Sequence, residues 1–261
     1  MLRHLILAAT LIVSTAYAGP SNTDIRPGKY ILTDDSGTLV IRKGEGKKFT
    51  FAIDTVGVNC HVCGVTGVIS GTKGRADAWI DGDSMPRCEI SFSAKGTSIE
   101  VEALTVETCR DHCGARAGFD GTYRLPPPAC TAAARQKQRD TSLRLHKARR
   151  YSQAAEALQG LITNCANFMG WIEIDQVRND LALAQYRNGE FEQCLSTLGD
   201  TYMANVKDEE ELTSGRSSVF LPPSDFDNYI AVARATWFNK SLCSKAKSAP
   251  PKYKPTEREN P

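Results

Sequence analysis

The chain has 261 residues, with 32 Lys and Arg against 30 Asp and Glu, 41% hydrophobic residues and 24% charged ones, for a formal net charge of +2. These proportions exclude a strongly basic nucleic-acid binder and a disordered chain of low hydrophobicity. The length suits two domains of about 100 to 150 residues, each burying its own core.

The N-terminus reads as a signal peptide over 1–18. Arg3 and His4 supply a basic start, and the apolar run over 5–13 is too short to span a bilayer. Ala16-Tyr17-Ala18 gives the small-x-small cleavage pattern, so the mature chain is expected to begin at Gly19, with no cysteine behind the cut to carry a lipid. The remainder has no long uncharged apolar run, so no transmembrane segment is expected, and the protein is placed in the periplasm or outside the cell.

From 19 to 125 the pattern is β. Short alternating runs over 29–33, 38–42, 48–53, 65–70, 75–80, 88–93, 98–103 and 118–123 are separated by turn residues. Phe49, Phe51 and Ile53 alternate, as do Ile90 with Phe92 and Ile99 with Val101, so each set points one face at a core. Ser36-Gly37, Gly44-Glu45-Gly46, Gly71-Thr72-Lys73-Gly74 and Lys95-Gly96 read as hairpin turns. Eight short strands at this spacing predict a small antiparallel barrel or sandwich.

A proline-rich linker over 126–130 marks the boundary, and a helical, repeat-like domain follows over 131–244. Tyr151-Ser152-Gln153-Ala154 with Leu158 is echoed by Phe191-Glu192-Gln193-Cys194 with Leu198. A helix over 225–244 is entered through Pro222-Pro223-Ser224, with Ser224 as N-cap. Two helical hairpins and one capping helix are expected. The residues 245–261, with four lysines among prolines, read as a solvated, disordered tail. The fold class is therefore α+β by separate domains.

Nine cysteines follow the leader, and behind an export signal most are expected in bridges with one left over. Antiparallel hairpin geometry puts the first helix's start beside the second's end, which pairs Cys130 with Cys165. A capping helix antiparallel to the one that carries Cys194 brings Cys243 alongside it. Cys63, Cys88, Cys109 and Cys113 are expected to make two bridges within the β domain, with Cys60 outside them.

The rival reading of Cys60-His61-Val62-Cys63 with Cys109-Arg110-Asp111-His112-Cys113 is a zinc site. Export disfavours it, and no metal or other cofactor is expected. Gly64 stands where a haem-attachment motif needs histidine, and Cys60-x-x-Cys63 does not open a helix as a thioredoxin-like motif does. His146 sits among Arg144, Lys147, Arg149 and Arg150 on a basic helix and is expected to be exposed. A Cys60–His112 catalytic pair, with His61 nearby, is the one enzymatic alternative. Asp81-Gly82-Asp83 lacks the ligand ladder of a calcium loop and reads as a turn. Asp81, Asp83, Glu100 and Glu102 are otherwise carboxylates of turns and strand faces. No nucleophile elbow, phosphate loop or dinucleotide fingerprint is present, so no catalytic residue is assigned.

Two resemblances give direction. The stretch from Asp180 through Leu181-Ala182-Leu183-Ala184-Gln185-Tyr186-Arg187-Asn188 to Gly189 resembles a tetratricopeptide helix closing on its glycine turn, in a two-unit repeat of period forty. The β domain, with Gly28-x-Tyr30, its spaced cysteines and the closing run from Cys113-Gly114 to Gly121-Thr122-Tyr123, resembles lysozyme-inhibitor-like exported domains of proteobacteria. Thr72-Lys73-Gly74 followed by Ala76 is similar to the Thr-Lys-Gly turn of the inhibitors of c-type lysozyme. Ser70-Gly71 abuts that turn directly, where those inhibitors carry a separate Ser-Gly-x-x-Tyr element ahead of it. The resemblance implies an eight-stranded barrel that pushes loop residues into a lysozyme cleft. It makes Ser70, Lys73 and Arg75 the expected binding residues, with both charges free of an adjacent acidic mate. A protein partner, with a cell-wall hydrolase as the candidate, is the implied target. An immunity protein against a toxin belongs to the same class of binding functions, and an envelope assembly or scaffold protein is a separate alternative.

Overall fold

The computed structural model describes residues 24–33, 36–57, 60–78, 86–215, 217, 219, 221 and 223–248. The leader, the Asp81-Gly82-Asp83 turn and the last thirteen residues of the tail lie outside them.

Eight strands form a closed antiparallel barrel in simple chain order: β1 (Gly28–Leu32), β2 (Gly37–Lys43), β3 (Phe49–Val56), β4 (Val62–Ser70), β5 (Lys73–Ala76), β6 (Glu89–Lys95), β7 (Ser98–Ala103) and β8 (Gly121–Arg124). Closure rests on Ile31 opposite Arg124 and Leu32 opposite Tyr123. It leaves no sheet edge for another strand to join. Of the two β architectures the sequence allows, the barrel is the one formed.

Alternation makes the barrel. Along β4, Cys63, Val65, Gly67 and Ile69 point inward, while Val62, Gly64, Thr66, Val68 and Ser70 point out. The lumen is filled by Leu39, Ile41, Ile53, Val65, Ile69, Ile90, Phe92, Ile99, Val101 and Tyr123, all at 2% exposure or less. Burying each large aliphatic or aromatic side chain contributes about 1.5–3 kcal/mol. Phe51 and Phe92 meet at 5.1 Å between ring centroids. Two inward glycines make room for them. A Cβ on Gly74 would lie 2.4 Å from the Phe92 ring, and one on Gly67 2.8 Å from Phe51. Gly74 is therefore a strand residue under an aromatic ring and not part of the turn. The turn itself is Gly71-Thr72, with Gly71 at φ +66°. β5 consequently starts two residues earlier than its alternation suggests.

Between β7 and β8 the chain makes a short helix, α1 (Val106–Arg110), that the β pattern did not announce. It buries Cys109. After Arg124 the chain turns helical: α2 (Ala132–Lys147), α3 (Tyr151–Cys165), α4 (Trp171–Asn188), α5 (Phe191–Gly199), α6 (Glu209–Thr213) and α7 (Pro223–Ser248). Thr131 caps α2 by accepting the Ala134 N–H at 3.3 Å, and Gly189 closes α4 in the left-handed region at φ +85°. The pairs α2/α3 and α4/α5 are the two expected hairpins, and α7 packs on α4 and α5.

α7 begins at Pro223, whose missing N–H costs nothing in a first turn, so Ser224 lies within the helix and is not its cap. It also continues four residues past the expected end, so residues 245–248 are helix and not tail. Lys247 in this last turn reaches Glu192 at 3.4 Å. His146 departs from expectation too. It is half-buried, packed edge-on against Tyr151 at 5.1 Å, because the chain reverses at Arg149 (φ +59°) and folds α3 back on α2.

Four disulfides staple the chain: Cys63–Cys113, Cys88–Cys109, Cys130–Cys165 and Cys194–Cys243. The helical pairs join adjacent helix ends at Cα separations of 5.2 and 6.3 Å. Such bridges belong to an oxidising, non-cytoplasmic compartment. Among the described residues no helix is long and apolar enough to cross a membrane.

Candidate functional site

Two surfaces carry functional character, one at each end of β4. The first is the β4–β5 hairpin. Ser70 and Lys73 pair across its two-residue turn, and both are exposed. Arg75 also points outward, but from within β5. There it stands opposite Glu89 of β6, itself exposed. The register thus gives Arg75 an acidic cross-strand neighbour that its sequence neighbours do not supply. Sequence spacing hides this because β6 is reached only through the long connection that follows β5. Lys73, opposite Ser91, is the cation at the tip. Of the strand carboxylates, Glu100 is held by Lys95 at 2.7 Å.

The cysteine–histidine cluster is organised by the Cys63–Cys113 bridge. Gly64 donates to the His112 carbonyl at 3.1 Å and Gly114 to that of Val62 at 2.8 Å, so the segments 62–64 and 112–114 run as an antiparallel pair. His61 packs against Gly114, where a Cβ would come within 2.8 Å of its Nδ1. His112 is partly buried, and this desolvation pushes its imidazole below the ordinary value against the opposing pull of Asp111 and Asp77. Cys60 is exposed, outside the four bridges, and in the left-handed region at φ +62°. With Cys63, Cys109 and Cys113 all bridged, the thiolates a zinc site needs are consumed.

The second surface is a cleft of about 640 Å³ between the barrel and the helices, lined by Thr33, Ser36, Val56 and Gly57 on one side and by Ala166, Asn167, 169–172, Ile174 and Asp225 on the other. Sequence reasoning did not single out its residues. Trp171, at the first turn of α4, is 37% exposed there, and Val56 on β3 is 54% exposed. The Trp171 ring packs at 4.5 Å on Tyr229 and at 5.0 Å on Tyr202, between ring centroids.

That aromatic group is held from beneath by a buried carboxylate. Asp175, one turn along α4 from Trp171, accepts from the Tyr229 hydroxyl at 2.6 Å and the Tyr202 N–H at 2.7 Å, and pairs with Arg178 at 3.1 Å. Burial, then the hydrogen bond and charge of Asp175, push the Tyr229 hydroxyl far above its ordinary value, so it stays a donor. Asn179 continues the network to Thr236 at 2.9 Å and accepts from Asn239 at 3.1 Å. The only legible signal for this arrangement is Gly170-Trp171, a bulky aromatic at a helix start with no capping side chain.

At the chain joint, Arg135 of α2 makes a two-pronged pair with Glu173 of α4, at 2.8 and 2.7 Å, and donates to the Cys130 carbonyl at 2.7 Å. It thereby fixes the start of α4, and Trp171 with it, against the segment leaving the barrel.

Comparison with family models, curated proteins and solved structures finds no match for this chain.

Proposed function

We propose that this chain is an exported binding protein of the periplasm, most specifically an inhibitor-like protein directed at a lysozyme or another cell-wall hydrolase, a role that includes immunity to such an enzyme delivered as a toxin. The packed lumen carries the reading. Side chains such as Leu39, Val65, Ile69, Ile90 and Phe92, each fully buried, fill the space where a carrier barrel would hold a ligand, so recognition belongs to the outer surface. On that surface Lys73 stands at the tip of a closed, bridge-stapled sheet that loses little freedom on binding. A muramidase cleft holds an ionised catalytic carboxylate, to which an inserted lysine makes a charge-assisted hydrogen bond. The helical hairpins, read as tetratricopeptide-like, add a second surface beside the barrel.

The test is inhibition of a panel of muramidases by the parent protein and by the K73A/R75A double variant, with circular dichroism to confirm folding. Inhibition by the parent, weakened about tenfold or more in the folded double variant, is the expected result. A parent that inhibits none of the panel overturns the hydrolase target. Equal inhibition by both proteins moves the contact away from the hairpin.

A further inference from the structure

The cleft at the other end of β4 is a separate matter. From Val62 to Ser70 the strand covers roughly 26 Å at 3.3 Å per residue, so a partner loop on the hairpin does not fill it. The cleft continues into a neighbouring recess of about 390 Å³ that shares Ser36 and Val56 with it and adds Thr38, Asp54, Val62 and Gly64. Together they make one groove along the neighbouring ends of β2, β3 and β4 and under the start of α4.

Its chemistry is one-sided. Val56 and Val62 face each other across the β3–β4 pair at 54% and 62% exposure, and Trp171 and Ile172 lie beyond them on the helical wall. Asp225 stands on the helical side and Asp54 on the barrel side, and among the described residues no Lys, Arg or His lines either recess. An apolar floor between two carboxylates, with a partly exposed indole that attracts cations, complements alternating apolar and cationic side chains. The barrel has no open edge, so the occupant is held by its side chains and not by strand addition.

We propose that this groove binds an extended segment of a protein partner in which basic and aliphatic residues alternate. The aliphatic side chains lie on Val56, Val62 and Ile172. The basic ones pair with Asp54 and Asp225, and one stacks on Trp171. The surface is independent of the hairpin, and the proposal stands whether or not a hydrolase is the hairpin's target.

The test uses the full-length mature protein and a capped, fluorescein-labelled peptide Lys-Ile-Lys-Ile-Lys, followed by fluorescence anisotropy. Glu-Ile-Glu-Ile-Glu serves as the charge-reversed control and chitotetraose as a glycan probe. Saturable binding of the basic peptide that weakens with salt, and none of the acidic peptide, is expected. Val56→Lys places a cation in the groove at an exposed strand position that leaves the barrel core untouched, and is expected to weaken binding about tenfold or more. D54N/D225N is expected to weaken it about fivefold and to flatten its salt dependence. Val56→Lys binding the peptide as tightly as the parent overturns the proposal. So does equal binding of the acidic peptide, or saturable binding of chitotetraose without the basic peptide, which makes the groove a glycan site.

Discussion

The barrel and the helices are held together by different chemistry. The barrel interior is almost wholly apolar, with Thr55 the one buried polar side chain among the strands, satisfied by the Gly118 carbonyl at 2.7 Å. The helical core carries Asp175, Asn179, Gln185, Thr236 and Asn239 in its interior, with Arg135 and Ser142 nearby. A core of dispersion and area tolerates volume-conserving exchange. A buried hydrogen-bonded network is specific, and it fails when one member is removed, because its partners are left desolvated and unpaired. The aromatic platform of the cleft therefore depends on the second kind of core, and the hairpin on the first.

The sharpest way to break this contrast is Asp175→Ala. It strips the Tyr229 hydroxyl, the Tyr202 N–H and Arg178 of their shared acceptor, and should lower stability by about 3–5 kcal/mol. Urea titration followed at 222 nm checks it, and a loss below about 1 kcal/mol would show the network to be dispensable. Next is the covalent contribution. Cys130→Ser with Cys165→Ser opens a loop of sequence separation 35. By chain entropy this costs about 3–4 kcal/mol, measurable as a drop in the urea midpoint.

Gly74→Ala probes the barrel's sensitivity to volume. The added methyl meets the Phe92 ring at 2.4 Å, and such overpacking costs about 1–3 kcal/mol. Joint replacement Gly74→Ala with Phe92→Leu should recover part of that loss, the signature of a steric core.

The smallest effect is on pH. Because burial lowers the His112 value in the folded barrel, protonation favours the unfolded chain. Stability is full above the unfolded histidine value of about 6.5 and falls as pH drops below it. The fall from this residue ends once pH is beneath the lowered folded value. His112→Gln should flatten the difference between pH 7.5 and 5.5 in thermal melts. An unchanged slope would assign the acid sensitivity elsewhere.

Most of the barrel was legible because period-two alternation in Phe49-Thr50-Phe51-Ala52-Ile53 and Ser98-Ile99-Glu100-Val101 leaves one solution for each strand. Bridge partners in the helices followed from the places of Cys130, Cys165, Cys194 and Cys243 on antiparallel ends. What failed was local. Gly74 reads as a turn residue by type, but its role is set by Phe92, eighteen positions away on another strand. Arg75 stands opposite Glu89 only through a register that no short window contains. The cleft is least legible of all. Val56, Trp171 and Asp225 are ordinary residues of three remote segments, and only the fold brings them to one groove.

The positions of the bridges also determine how the molecule responds to a pull on its two ends. Tension entering at Cys63 passes through sulfur to Cys113, and again from Cys130 to Cys165 and from Cys194 to Cys243. The enclosed stretches, spanning sequence separations of 50, 35 and 49, carry none of the load. They include most of β4, all of β5, β6, β7 and α1, the whole of α2, α3 and α6, and most of α5 and α7. A stretched chain therefore gives up β1 to β3, β8 and α4 and then stops, its remaining length withheld until a reductant cuts the bridges. For a disulfide-bonded protein outside the cytoplasm, the covalent frame turns complete unravelling into a chemical event and not a mechanical one.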